Sequence, residues 1–267
     1  MKKNIIQYLL VFSLLPVLSC EELTNWDILS YETYVIADCI ITNEMKYQEL
    51  WLNKSINAMN EIPQGISGAF IVLGDGTNAY VFIEDLSEPG HYVSDIPFMA
   101  SAGQVYRLTI VTGSYTDTAY ASLTGVSPLD AMDITASDTL LQYVYHDTPG
   151  ASMTEIRYDW SANPSYCAVY GGCMATEVYY TLNNIDPAKE FAPDRIKLLF
   201  PHQTQIIRRK YSLSDDHQRF IRSLLLETDW RGGFFDTEQG NIPTNFSHGI
   251  HGWFAACSVV SDTIFVE

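Results

Sequence analysis

The chain of 267 residues carries 32 acidic and 15 basic side chains, which gives a formal net charge of −17 at pH 7. A surface this acidic repels phosphate backbones and anionic lipid, which argues against nucleic acid as a partner and against electrostatic attachment to a membrane. Hydrophobic residues make up 47 %, aromatic residues 13 % and charged residues 18 % of the chain, a composition that excludes a disordered chain and is typical of an aromatic-rich β protein.

The first residues have the pattern of an export signal. Two lysines precede the apolar run IIQYLLVFSLLPVL, which is shorter than the roughly 20 apolar residues that a lasting membrane span needs. The run ends as VLS directly before Cys20, and this ending resembles the lipobox of bacterial lipoproteins. We therefore predict a signal peptide over residues 1–19, cleavage before Cys20 and lipidation of its thiol. The alternative is a plain signal peptide with an incidental cysteine.

The residues that follow Cys20 bear on its location. Glu21 and Glu22 come directly after it, and acidic residues at this place resemble the signal that sends lipoproteins of Bacteroidota to the outer face of the outer membrane. Two or more acyl chains hold a protein stably on a membrane, whereas one gives only marginal binding. We expect a lipid-anchored protein of the outer membrane that faces the cell exterior, with residues 20–30 as its tether.

Residues 31–124 have the pattern of an immunoglobulin-like β-sandwich. Residues Gly74 to Gly76 supply a hairpin turn, and Tyr106, Leu108 and Ile110 alternate with polar residues, as in a strand with one buried face. Seven such strands in so short a segment predict the sandwich. The expected strands are YVIADCIIT, QELWLNKS, GAFIVL, NAYVFIED, HYVSD, GQVYRLTIVT and TAYASLTG.

The rest of the chain is predicted to form a second unit. Residues 125–140 are polar and contain Pro128, which indicates a linker, and residues 141–267 predict a β-rich C-terminal domain. Its expected strands are MTEIRYDW, CMATEVYYTL, RIKLLF, TQIIRRKYSL, HGWFAACSVV and DTIFVE. One helix is expected near residues 214–228, because Ser214 can cap it and apolar residues then recur at helical spacing. The predicted fold class is therefore mainly β.

Four cysteines remain if Cys20 carries lipid, and they allow three pairings. In an oxidising compartment the segment CAVYGGC favours a disulfide between Cys167 and Cys173, because its two glycines let the ends of a short loop meet. Cys39 and Cys257 lie in apolar runs and are expected to be buried small hydrophobes, although a bridge between them stays open.

Several segments resemble those of one protein family. They are the helix start SLS, GGFFDTEQGNIPTNF and GIHGWFAACSV near the C-terminus, and YVIADCIITNE, ISGAFIVLGDG, EPGHYVSD and GQVYRLTI in the N-terminal half. From Cys20 to its end the chain resembles a family of Bacteroidota outer-membrane lipoproteins known only as a domain of unknown function. Such proteins are often encoded beside TonB-dependent receptors, so the resemblance implies a TonB-dependent outer-membrane receptor as partner. The chain departs from its relatives at Asp38-Cys39, where a small residue is more usual.

No pattern of an enzyme stands out. The sequence has no serine between glycines at a nucleophile elbow and no phosphate-binding loop. His248 and His251 are close, but they lack a third ligand at metal-site spacing. We therefore expect no catalytic residues, no metal and no cofactor. Among 32 carboxylates, some pair must lie at the spacing that a glycosidase needs, and the sequence cannot identify it.

Aromatic residues are the better indication of a binding site. Trp230, Phe234, Phe235 and Trp253 are predicted to line a surface groove for sugars, peptides or a partner protein, although packing in the core explains them equally well. Taken with the resemblance, they predict a non-enzymatic accessory or substrate-capture partner of a TonB-dependent transporter. The alternative is an adhesive or structural surface lipoprotein that binds host or matrix components.

Three stretches resemble the sequon at which Bacteroidota O-glycosylate exported proteins, an Asp followed by Ser or Thr and then a small or aliphatic residue. They place candidate sites at Thr118, Thr139 and Thr263. Thr139 ranks first, because the predicted linker makes it accessible.

Overall fold

The computed structural model describes residues 33–56, 61–113, 115–137, 139–233 and 242–267. Within these ranges strands form three sheets, and the helices are short. The strands are β1 (Val35–Thr42), β2 (Glu49–Lys54), β3 (Phe70–Gly74), β4 (Ala79–Glu84), β5 (His91–Ser94), β6 (Val105–Thr112), β7 (Tyr115–Ser122), β8 (Ile134–Ser137), β9 (Leu140–Tyr143), β10 (Ser152–Asp159), β11 (Met174–Thr181), β12 (Thr204–Ser212), β13 (Ile250–Cys257) and β14 (Val259–Val266). The helices are α1 (Pro164–Tyr170), α2 (Pro187–Glu190) and α3 (Asp215–Glu227).

The first sheet has eight strands in the order β13-β1-β2-β5-β4-β3-β6-β7. All seven strands expected in residues 31–124 are present in it. Alternate residues of these strands point to one shared core, where Leu50 on β2, Ile71 on β3 and Leu108 on β6 are fully buried. The sheet curls into a nearly closed barrel, since β13 at one edge lies beside β7 at the other.

The eighth strand comes from the far end of the chain. β13 pairs in parallel with β1, from Val35 opposite Ile250 to Thr42 opposite Cys257. Gly252 permits this close approach, because its φ is 98° and a Cβ there would lie 2.1 Å from the carbonyl oxygen of Ala37. The predicted unit 31–124 thus lacks one strand of its own sheet, and the predicted unit 141–267 supplies it.

Asp117 on β7 fastens the two edges of the barrel together. Its carboxylate accepts hydrogen bonds from the Ser247 hydroxyl at 2.7 Å and from the backbone N–H groups of His248, Gly249 and Ile250 at 2.8–2.9 Å. Burial acts to raise the pKa of Asp117, but these hydrogen bonds outweigh it and the pKa lies below its usual value.

The second sheet is antiparallel, in the order β11-β10-β12-β14. Its core contains Ile156, Phe200 and Ile206, all fully buried. β14 follows β13 after Ser258 alone, so the last two strands of the chain lie in different sheets. Ser258 is held by Ser212, whose hydroxyl accepts the Ser258 N–H at 2.9 Å. Residues 33–267 accordingly form one compact unit.

The segment predicted as a linker, residues 125–140, is part of the folded unit. It contains β8, which pairs with β9. Two buried cations on β12 bind its backbone: the Arg208 guanidinium donates to the carbonyl oxygen of Asp130 at 3.0 Å, and the Lys210 ammonium donates to that of Pro128 at 3.2 Å. Arg208 also pairs with the Asp262 carboxylate at 2.6 Å.

Other elements of the C-terminal half differ in part from those expected. The predicted helix is α3, and its cap is Ser214, whose hydroxyl accepts the N–H of His217 at 3.3 Å. The segment RIKLLF is not a strand, although Phe200 at its end bridges to Leu141. α1 and α2 were not expected, and each begins at a proline, which suits the first turn of a helix.

Candidate functional site

The structure contains the disulfide expected from CAVYGGC. Cys167 and Cys173 are bonded, with their Cα atoms 4.5 Å apart. Of the residues between them, 168–170 belong to α1, and Gly171, whose φ is 71°, caps the helix before the turn to Cys173. Both cysteines pack against the core of the second sheet, so the bridge braces a helix against that core. Cys39 and Cys257 are free and buried.

Some of the predicted site residues lie outside the part of the chain that the structure describes. They are Cys20, Glu21, Glu22, Phe234 and Phe235.

The three candidate glycosylation threonines do lie within the described residues. Thr139 is exposed in the turn between β8 and β9. Thr263 is also exposed, but the aspartate before it is the partner of Arg208. Thr118 is half-buried, and its hydroxyl donates to that of Ser247 at 3.2 Å. Thr139 is therefore the candidate with fewest structural ties.

The two described tryptophans of the predicted groove are mainly core residues. Trp230 is 7 % exposed and packs against Ile221 and Leu225 of α3. Trp253 on β13 is 9 % exposed, and its ring lies 5.0 Å from that of Phe220. Each nevertheless contributes to the wall of a cavity.

The cavity beside Trp230 lies between the second sheet and α3. It holds about 360 Å³, and Tyr145, Tyr179, Tyr180 and Trp230 form its aromatic walls; we call it the tyrosine cleft. The rings of Tyr145 and Tyr179 stack with their centroids 4.3 Å apart. Burial raises the pKa of all three tyrosines, so their hydroxyls are neutral near pH 7.

Two ion pairs lie at the rim of the tyrosine cleft. Lys189 lies 3.0 Å from the Asp147 carboxylate, and Arg195 lies 3.5 Å from that of Asp229. The Arg195 guanidinium also lies 5.0 Å from the ring centroid of Tyr179 and donates to the carbonyl oxygen of Val178 at 2.8 Å. A ligand in the cleft would therefore meet charged side chains as well as aromatic rings.

A wider groove of about 880 Å³ continues from the cleft along residues 193–198. Ile196 in this segment is 96 % exposed. The walls of the groove and of the cleft have several residues in common, among them Tyr180, Arg195 and Leu225. A ligand larger than the cleft can therefore extend along an open surface of mixed apolar and charged residues.

The tyrosine cleft combines stacking surfaces with hydroxyl groups, which is what reversible binding of a ligand needs.

Among the described residues, no three His, Cys, Asp or Glu side chains are placed to hold a metal ion. Within the same ranges, no helix is long and apolar enough to cross a membrane.

Sequence reasoning found Trp230 but missed the tyrosines. Tyr145 stands in YVYHD and Tyr179 and Tyr180 stand in EVYYT, so these tyrosine-rich segments were the available signal. The segments are distant along the chain, and nothing in the sequence shows that they meet.

Comparison with known proteins gives one clear relationship. No curated protein sequence matches the chain. Among solved structures, the FN1–FN3 domains of chicken CNTN1 are 10 % identical, with a TM-score of 0.26 over 67 % of this chain and 60 % of that chain. The chain thus spans less than two thirds of the length of that structure. The family model DUF4249, a domain of unknown function, matches residues 22–263. Because this match covers nearly the whole sequence, the chain belongs to the DUF4249 family.

Proposed function

We propose that this protein is a lipid-anchored lipoprotein on the outer face of the outer membrane of a member of the Bacteroidota, where it captures a ligand for a TonB-dependent transporter without altering it chemically. The apolar run before Cys20 and the glutamates after it support the location. The resemblance of the sequence to lipoproteins encoded beside such receptors supports the partner.

The tyrosine cleft is the observation that carries the capture function. Tyrosine presents a broad apolar face and a hydroxyl at its edge, so a wall of tyrosines can stack on a ligand and hydrogen-bond with it at the same time. The stacked pair Tyr145 and Tyr179 is fixed before binding, because the Tyr145 hydroxyl lies 2.8 Å from the Thr181 hydroxyl and Arg195 covers Tyr179. A preorganised wall of this kind loses little side-chain entropy on binding.

The first sheet suits the role of a rigid support. We propose that it is an immunoglobulin-like module, in which β1-β2-β5 and β4-β3-β6-β7 correspond to the two layers and the β4–β5 pair joins them. β13 extends the first layer, and its continuation into β14 connects this support to the sheet that carries the cleft.

A photocrosslinking residue at Ile196, at the open end of the groove, tests the partner. In intact cells we expect the full-length lipoprotein to crosslink to an outer-membrane β-barrel receptor. The matched control is the same residue at Leu86, which is 91 % exposed in the turn between β4 and β5 and should give a weaker crosslink. If no receptor is crosslinked from either position, the proposal is contradicted. If matrix proteins are enriched instead, the result favours an adhesive role.

The variant Tyr179→Ala tests capture separately. We expect it to retain the crosslink to the receptor while uptake of the receptor's cargo falls, because the stacking wall is removed. Unchanged uptake by this variant would show that the tyrosine cleft does not hold the cargo.

A further inference from the structure

A second cavity lies between the outer face of the first sheet and α3. It holds about 290 Å³ and shares only Tyr180 with the tyrosine cleft. Its walls are largely apolar, and the main contributors are Ile40, Met153, Phe220, Ile221, Leu224 and Trp253. Two titratable groups, Asp38 and His217, interrupt this apolar lining. We call this space the Asp38 cavity.

Asp38 stands between two tryptophans on the outer face of the sheet. In the register of the strands it lies opposite Trp253 on β13 and opposite Trp51 on β2, and residues paired in this way point to the same face. Its neighbours Ala37 and Cys39 point inward and are buried. Trp253 lines the cavity together with Asp38, whereas Trp51 is outside its lining and stacks on His91 with the ring centroids 4.3 Å apart.

The carboxylate of Asp38 has no hydrogen-bond or ion-pair partner within the described ranges. Asp38 is an exposed residue, and the protein around its carboxyl group raises the pKa of that group by desolvation. A carboxylate that lacks a partner within the protein is available to a positively charged group that enters the cavity.

His217 supplies a second unsatisfied group at the cavity wall. It is 3 % exposed, and its Nδ1 has no hydrogen-bond partner in the described part of the chain. Its ring stacks on Trp253 with the centroids 5.9 Å apart. Burial lowers the pKa of His217 to about 4, so the ring is neutral near pH 7 and does not repel a cation.

We propose that the Asp38 cavity binds an organic cation, an ammonium group on a compact apolar body. The ammonium pairs with the Asp38 carboxylate beside the indole of Trp253, since aromatic rings attract cations. The apolar body packs against Phe220, Ile221 and Leu224 on α3. The cavity lies just below the roughly 300–1,000 Å³ of most ligand sites, which restricts the ligand to a small molecule. This site is independent of the tyrosine cleft and of any transporter.

Calorimetry with three probes of one shape tests the charge preference. The probes are phenethylamine, 2-phenylethanol and phenylacetate, which differ in the charge of the polar end. We expect phenethylamine to bind the full-length protein at least about tenfold more tightly than 2-phenylethanol, a difference of about 1.4 kcal/mol, and phenylacetate not to bind. Equal binding of the amine and the alcohol, or no saturable binding of the amine, would overturn the proposal.

Two matched variants locate the site. Asp38→Asn keeps the shape of the side chain and removes its charge, so it should weaken binding of phenethylamine about tenfold and leave 2-phenylethanol unaffected. Asp194→Asn, which changes a carboxylate at the rim of the tyrosine cleft, should bind like the unmodified protein. An effect of Asp194→Asn but not of Asp38→Asn would place the amine in the tyrosine cleft and would contradict the proposal. Thermal unfolding shows whether both variants are folded.

Discussion

Replacing His217 should remove a large part of the protein's sensitivity to mild acid. Burial lowers its pKa from 6.5 to about 4, so between these values the unfolded chain binds a proton that the folded protein excludes. The free energy of unfolding is therefore unaffected by His217 at pH values above the pKa of the unfolded chain, and it decreases as the pH falls from 6.5 toward 4. A tenfold change in protonation corresponds to about 1.4 kcal/mol, and the full loss is therefore about 3 kcal/mol, of which about 2 kcal/mol falls between pH 7 and pH 4.5.

The variant His217→Phe isolates this contribution. Phenylalanine replaces the imidazole by a ring of similar shape that suits the contacts with Phe220 and Trp253. The cap of α3 is preserved, because Ser214 binds the backbone N–H of residue 217. Urea unfolding, followed by tryptophan fluorescence at about pH 7 and about pH 4.5, gives the free energy of unfolding of both proteins.

We expect the loss of stability between the two pH values to be smaller in His217→Phe by about 2 kcal/mol. His146→Phe is the control: the His146 side chain is 55 % exposed and its ion pair with Asp133 is screened by water, so we expect this variant to change the loss little. An equal loss in the unmodified protein and in His217→Phe would refute the link between burial of this ring and acid sensitivity.

Three further substitutions test separate features. Asp117→Asn should lower the free energy of unfolding by about 2–4 kcal/mol, because the carboxylate accepts hydrogen bonds from Ser247 and three backbone N–H groups; urea unfolding measures this, and a loss below about 1 kcal/mol would show that the β7–β13 contact does not depend on it. Asp262→Asn should cost about 1.5–3 kcal/mol, since it removes the carboxylate that accepts two hydrogen bonds from buried Arg208 and leaves only the Asp130 carboxylate, 3.7 Å away, as counter-charge; a neutral effect in the same assay would contradict that pairing. Cys20→Ala should leave the protein unprocessed and without lipid, and a mature mass with unchanged partition into detergent would refute the anchor.

Local patterns predicted most of the strands, and long-range pairing accounts for what they missed. The alternation of apolar and polar residues and the turn residues are local features of each hairpin, which is why β1 to β7 were predictable. The cap and the helical spacing of apolar residues are local in the same way, which is why α3 was predictable. The parallel pairing of β13 with β1 leaves no turn between them, so no local signal marks it. The apolar segment RIKLLF, residues 195–200, has the pattern of a strand. In the fold its first part belongs instead to residues 193–198, which line the groove beside the tyrosine cleft.

The binding sites were less predictable than the strands for the same reason. Trp230 and Trp253 could be identified by residue type, but packing in the core accounts for most of their surface. Asp38 and His217 are distant along the chain, and they line the same cavity only because α3 lies over β1 and β13. The departure from relatives at Asp38-Cys39 marks this position in the sequence, but a single aspartate in an apolar strand does not reveal its surroundings, so the cavity could not be predicted.

The placement of the last two strands determines when the protein can finish folding during synthesis. The first seven strands emerge early, but their barrel lacks β13 until residues 250–257 have been made. Until then β1 exposes an unpaired edge, and the carboxylate of Asp117 lacks the N–H groups of residues 248–250. Open strand edges pair readily with other chains. We therefore expect chains truncated before Ile250 to aggregate more readily than the full chain.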